Sequence, residues 1–212
     1  MSEAPPRPRI QTLSDLIFGL ALSISALTLI GHQPADAGEF FASLGLYGFS
    51  FLIIISVWRL YSLITSILPS ETTLLTGLNY LLLFLVSIEP YLFNELFTPV
   101  SFSETVNEVY AIELGIMFLI LAVFNHVLAS EERNLVAKSL LGRYRVSRDL
   151  CSAVACIFIL SSIPLLGSTM VYSYVSTGVT YEVSLRTVLW MASLVVGWSR
   201  HLISRAIFGE QV

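Results

Sequence analysis

Charge is scarce over long stretches of this chain, and that scarcity limits its possible folds more than any motif does. Six apolar runs stand out: Leu13–Gly31, Phe40–Ser66, Leu74–Phe93, Val109–Ala129, Leu150–Val171 and Val183–Ser204. Each is close to or above the roughly 20 residues that a helix needs to cross the hydrocarbon of a bilayer. Of the 212 residues, 55% are hydrophobic and 12% charged, whereas a soluble domain carries about 25% charged residues. Within lipid a spanning segment must satisfy its backbone polar groups internally, so the runs are predicted to be helices. The expected fold class is an all-α integral membrane protein, multi-pass, with six transmembrane helices in one domain covering 1–212.

Proline punctuates the pattern. Pro34, Pro69 and Pro99 fall in connections, while Pro90 and Pro164 fall inside runs and are expected to kink them. The first run continues to Gly31 and into "HQPADAGEF", with no small-residue cleavage site, and is read as a retained helix.

Positive charge gives the orientation. Arg7 and Arg9 precede the first run; Arg133, Lys138, Arg143, Arg145 and Arg148 crowd the fourth connection; Arg200 and Arg205 sit near the end. The first and third connections are acidic, and "YSYVSTGVTYE" in the fifth has no Lys or Arg. Positive residues collect on the cytoplasmic side, so both termini are expected in the cytoplasm and the protein in the cell membrane. The stretch "SEERNLVAKSLLGRYRVSRD" is expected to be a short cytoplasmic amphipathic helix or loop, with charge able to meet anionic lipid.

Enzyme chemistry finds little support. There is no glycine loop for a nucleotide, no zinc-ligand spacing and no nucleophile set. Cys151 and Cys156 are five apart, on different helix faces, and read as two small buried residues. No cofactor, small-molecule substrate or nucleic-acid partner is expected. Asn125 and His126 are candidates for hydrogen bonds between helices, and Arg59 for snorkelling to the interface. Two carboxylates within runs, Glu89 and Glu113, are candidate functional groups because ionisable residues are costly in a membrane.

The first helix opens with "RPRIQTLSD". Ser14 and Asp15 can accept hydrogen bonds from its exposed N–H groups, and a carboxylate there also suits the helix dipole. Arg9 lies six residues before Asp15, off its helix face, and is placed to pair with a neighbouring helix or subunit. At 100° per residue, Leu13, Leu20, Ser23, Ile24, Leu27 and Gly31 share one stripe.

Arg9, Leu13, Ser14 and Asp15 resemble the R-x-x-x-F-S-D signature of the transmembrane protein 175 family of potassium channels, with leucine in place of phenylalanine. The stretch "FSFLIIISVWRLYSLI" is similar to the family's second helix, with Trp58 at its tryptophan and Tyr61 and Ser62 where histidines are usual. The stretch "LNYLLLFLVSIEPYL" is similar to the third, with Asn79 before the leucine run. The resemblance implies a passive potassium-permeable channel of the prokaryotic type, in which one six-helix chain is a subunit of a homotetramer and helix one lines the pore. It implies no T-V-G-Y-G filter, and none occurs here. The constriction then falls on Leu20, Ser23 and Leu27, with Ile24 on the same stripe, and potassium passes near Ser23, which replaces a frequent threonine. Arg9, Ser14 and Asp15 become a network fixing helix one. The competing reading is a secondary transporter or proton-coupled permease using Glu89 or Glu113. An apolar stripe also packs ordinarily against protein or lipid, and a serine ordinarily bonds the preceding turn.

Overall fold

The computed structural model describes residues 9–31, 37–68, 73–96, 103–131, 135–176 and 179–208. Among these residues the chain is mostly helical. In order it forms α1 (Arg9–Gly31), α2 (Ala37–Thr65), α3 (Thr73–Glu95), α4 (Ser103–Leu128), α5 (Lys138–Ser161), α6 (Pro164–Ser168), β1 (Met170–Ser176), β2 (Val179–Ser184) and α7 (Leu185–Phe208). Among the described residues three stretches are long and apolar enough to cross a membrane: Ser43–Thr65, Thr73–Glu95 and Ser103–Leu128. Thr12–Leu27 and Leu185–Ser199 are shorter apolar helical stretches. The chain divides into two compact units, Met1–Tyr91 and Leu92–Val212.

In the first unit, α1 runs antiparallel to α2, because Ser14 meets Tyr61 and Ser25 meets Ser50. The buried face of α1 is Ser14, Phe18, Ala21 and Ser25. Their spacing of four, three and four residues keeps one face of a 3.6-residue helix. Opposite them the large apolar side chains of α1 are left uncovered. On α2 the buried residues Ile53, Ile54, Val57, Tyr61 and Ile64 follow the same period. Pro90 sits inside α3, whose helix continues to Glu95.

In the second unit, Phe118 of α4 and Phe158 of α5 stack at 5.9 Å between ring centroids, and Tyr110 of α4 meets Trp190 of α7 edge-on at 5.3 Å. The helices α4 and α5 are in tight contact at Gly115, where an added Cβ would lie 2.5 Å from Ile159. Cys151 is buried as expected, whereas Cys156 is exposed.

The fifth run departs most from the sequence-based expectation. From Lys138 onward, the basic stretch expected to be a separate short helix or loop is the first half of α5, which stops at Ser161. Pro164, with no N–H and a fixed φ, opens the new turn α6 instead of kinking a continuous helix. Residues Met170–Val171, expected to be helical, start an antiparallel hairpin in which Ser173 pairs with Glu182 and Tyr174 with Tyr181. An all-α fold has no place for that hairpin; valine, threonine and tyrosine at alternating positions explain it.

Arg186 holds this corner together. It is 3% exposed. Its Nε donates to the carbonyl of Ser161 at 2.8 Å, and both terminal nitrogens donate to the Glu104 carboxylate, at 3.0 and 2.6 Å. A further bond reaches the carbonyl of Ile163. The guanidinium thus meets the Ser161 carbonyl at the end of α5, where positive charge is favoured, and shares the Ile163 carbonyl with the Leu166 N–H that opens α6. Gly167 makes the room: a Cβ there would lie 2.8 Å from the guanidinium. Trp190 completes the corner, donating its indole N–H to Ser161 Oγ at 2.8 Å.

Candidate ion pathway

The face of α1 that its own chain leaves open is the predicted stripe. Leu13, Leu20, Ser23, Ile24 and Leu27 are all exposed, and Leu16 joins them at 59% exposure. On a helical wheel these six residues cover about 100°, with the buried residues on the other side. Gly31, the last member of the predicted stripe, has a side-chain position outside the described residues.

Among these six residues Ser23 is the one with a polar side chain. Its Oγ donates to the carbonyl of Gly19 at 2.8 Å. A hydroxyl has a single proton, so this bond commits it to the helix and leaves the oxygen's lone pairs available on the open face. Such an oxygen suits a cation and is poorly arranged for an anion.

Behind α1 lie two groups of polar contacts. In the first, Tyr61 Oη donates to Asn79 Oδ1 at 2.7 Å, so the 2.7 Å contact between Ser14 and Tyr61 has Ser14 as donor. Ser14, Tyr61 and Asn79 are all buried. Phe18 packs its ring against Tyr61, with centroids 5.6 Å apart. Beside this group Trp58 Nε1 donates to Asp15 Oδ1 at 3.0 Å. Two of the three predicted network residues, Ser14 and Asp15, therefore engage α2, through different partners; the side chain of Arg9 lies outside the described residues. The partners Trp58, Tyr61 and Asn79 were marked in the sequence only through family resemblance. Nothing in local spacing signals that Tyr61, at a position usually held by histidine, serves both neighbours.

The second group is Ser25, Ser50 and Glu89, with no exposure at any of the three. Ser50 Oγ donates to the Glu89 carboxylate at 2.9 and 3.2 Å, and Ser25 Oγ lies 3.4 Å from Ser50 Oγ. Glu89 was singled out from the sequence, but its two serine neighbours were not, since serine is unremarkable in a membrane helix.

The remaining candidates are scattered. Glu113 is buried on α4. Asn125 is buried too, but its Nδ2 bonds back to the carbonyl of Leu121 at 2.8 Å within the same helix. His126 and Arg59 are exposed. Among the described residues no group of three or more His, Cys, Asp or Glu is placed to hold a metal ion. Arg186 and Glu104, the best-connected ion pair among the described residues, went unmarked because an arginine at the head of an apolar run reads as a topology signal.

A helical membrane protein whose first helix is anchored along one face and open along the other is the class that this geometry defines. Residues 9–90 match the family model described as "Endosomal/lysosomal potassium channel TMEM175". No curated relative matches the chain. Among solved structures, a lysosomal potassium-selective channel TMEM175 homolog from Chamaesiphon minutus is similar over 89% of this chain and 96% of its own, with a TM-score of 0.54 at 16% identity. A threonine-to-alanine variant of the potassium channel MtTMEM175, in complex with a nanobody–MBP fusion protein, is similar over 100% of this chain and 97% of its own, with a TM-score of 0.55 at 16% identity. Residues 9–90 are thus similar to the TMEM175 family, and the fold as a whole is similar to that of these two channels. The family match spans Arg9 to Pro90, and so takes in both polar groups behind α1.

Proposed function

We propose that this chain is one subunit of a homotetrameric, potassium-permeable channel in the cell membrane, with six spans per chain over residues 1–212 and both termini in the cytoplasm. The exposed face of α1 lines the pore. Four copies place rings of Leu20, Ser23 and Leu27 around the axis, with Ile24 at their edge. The leucine rings form a narrow apolar constriction that resists wetting, and the Ser23 ring offers oxygens to a partly dehydrated potassium ion. Flow is passive, potassium is the only permeant ion that the reading needs, and no catalytic step or cofactor enters. The T-V-G-Y-G sequence is absent, so on this reading hydroxyl oxygens take the place of backbone carbonyls.

The observation that carries the reading is the two-sidedness of α1: polar anchors behind, and an open stripe that carries the Ser23 hydroxyl. The family match over 9–90 and the potassium channels among the similar folds support it. A second reading, a proton-coupled transporter, draws on the burial of Glu89 and Glu113.

Purified protein in liposomes separates the two. A channel gives electrogenic flux driven by a potassium gradient alone, at equal pH on both sides. Flux that requires a proton gradient, and stops when that gradient is dissipated, rejects the channel and selects the transporter.

A further inference from the structure

Two polar tiers hold α1 from behind, and the motif at the start of the helix accounts for only one. The tier of Ser14, Tyr61 and Asn79 takes one side chain from each of α1, α2 and α3. The tier of Ser25, Ser50 and Glu89 does the same. Ser14 and Ser25 are eleven residues apart, and so are Ser50 and Tyr61. Eleven residues is close to three turns, so both steps return to the same helix face and the tiers stand about 16 Å apart along α1.

The second tier has a direction. The single proton of Ser50 is shared between the two Glu89 oxygens, so at the 3.4 Å contact Ser25 is the donor. The chain of contacts runs from α1 through α2 to α3 and ends on the carboxyl group.

Its location matters more. Ser25 lies two residues beyond Ser23, about 200° round the helix, and so stands directly behind the pore-facing hydroxyl. The Ser14 tier is about 13 Å further down. Without the second tier, the polar anchors of α1 lie at Ser14 and Asp15 and none restrains its roll at the level of Ser23, where coordinating groups must hold to within about 0.5 Å. A carboxyl group is a costly choice for an apolar interior, and such groups are sometimes kept because they specify one geometry.

We infer that Glu89 is a positioning residue for ion selectivity: through Ser50 and Ser25 it sets the roll of α1, so that Ser23 faces the ion path. The inference rests on the pore reading above, and its test has an arm that does not.

The first arm measures reversal potentials in paired potassium and sodium solutions for wild type, Glu89→Gln, Glu89→Ala and Ser25→Ala. Glutamine keeps an acceptor of the same reach, so Glu89→Gln retains the potassium preference. Glu89→Ala and Ser25→Ala each lower it about fivefold, the worth of one modest hydrogen bond. The second arm introduces a thiol by Ala21→Cys, at a position that is 2% exposed on the anchored face. Labelling with a thiol reagent in mild detergent, read by mass on the peptide carrying the Ala21→Cys change, is slow with Glu89 present. It becomes fast when Glu89→Ala or Ser25→Ala is added. If Glu89→Ala does not fold, Ser25→Ala decides both arms.

The inference is overturned if the alanine variants keep wild-type selectivity and the introduced thiol stays protected. It is also overturned if Glu89→Gln behaves like Glu89→Ala, because charge rather than reach is then what counts. A wild-type protein with no potassium preference overturns the pore reading instead, and labelling then decides the anchoring by itself.

Discussion

At the scale of single residues, hydroxyl groups do most of the sorting on α1. Ser14 and Ser25 turn inward to partners on α2, whereas Ser23 turns outward and bonds its own helix. The stripe containing Ser23 was legible in the sequence, because 100° per residue puts Leu20, Ser23 and Leu27 together whatever the tertiary fold. The inward pair was not legible. A serine at position 25 looks like one at position 23 until α2 is in place, and only then does Ser50 distinguish them. Tyr61 supplies the sharpest residue-level expectation. Tyr61→Phe keeps the ring contact with Phe18 but removes the hydroxyl that Ser14 and Asn79 share. Each buried group then lacks one partner, at a cost of about 1–3 kcal/mol. A thermal melt in detergent should show a clear drop relative to wild type. An unchanged melting temperature removes this tier from the account of what fixes α1.

At the scale of elements, the sequence located long apolar runs well and failed where a run carries two structures. Hydropathy sees Leu150–Val171 as one stretch. The chain ends α5 at Ser161, restarts at Pro164 and enters a strand at Met170. The cause is non-local: Arg186, 25 residues beyond Ser161, supplies the donor that lets the carbonyl of Ser161 leave the helical ladder. No window centred on α5 contains that information. Gly167→Ala tests the corner, since its methyl group would lie 2.8 Å from the guanidinium. Overpacking of this kind costs about 1–3 kcal/mol. In an Arg186→Gln background the same substitution should cost less, because the shorter side chain leaves space. A double-mutant cycle on melting temperatures measures the difference, and strict additivity would show that Gly167 and Arg186 are not coupled.

At the scale of the whole molecule, one chain supplies one copy of the α1 stripe, so a central pore needs several chains around a symmetry axis. The exposed Leu13, Leu16, Leu20, Ile24 and Leu27 are then the surface that the assembly gathers at its centre. Native mass spectrometry in mild detergent should give a tetramer, and a monomer that still conducts would put the pathway inside a single chain. Single-channel recording of wild type, Leu20→Ala and Ser23→Ala between potassium and sodium solutions tests the claim that α1 lines a selective constriction. The two substitutions act on different quantities, wetting and ion solvation. Leu20→Ala should raise conductance and relax discrimination by size. Ser23→Ala should shift the reversal potential toward sodium with the tetramer intact. Wild-type conductance and reversal potential in both variants, each correctly assembled, would contradict the claim and move the pathway away from α1.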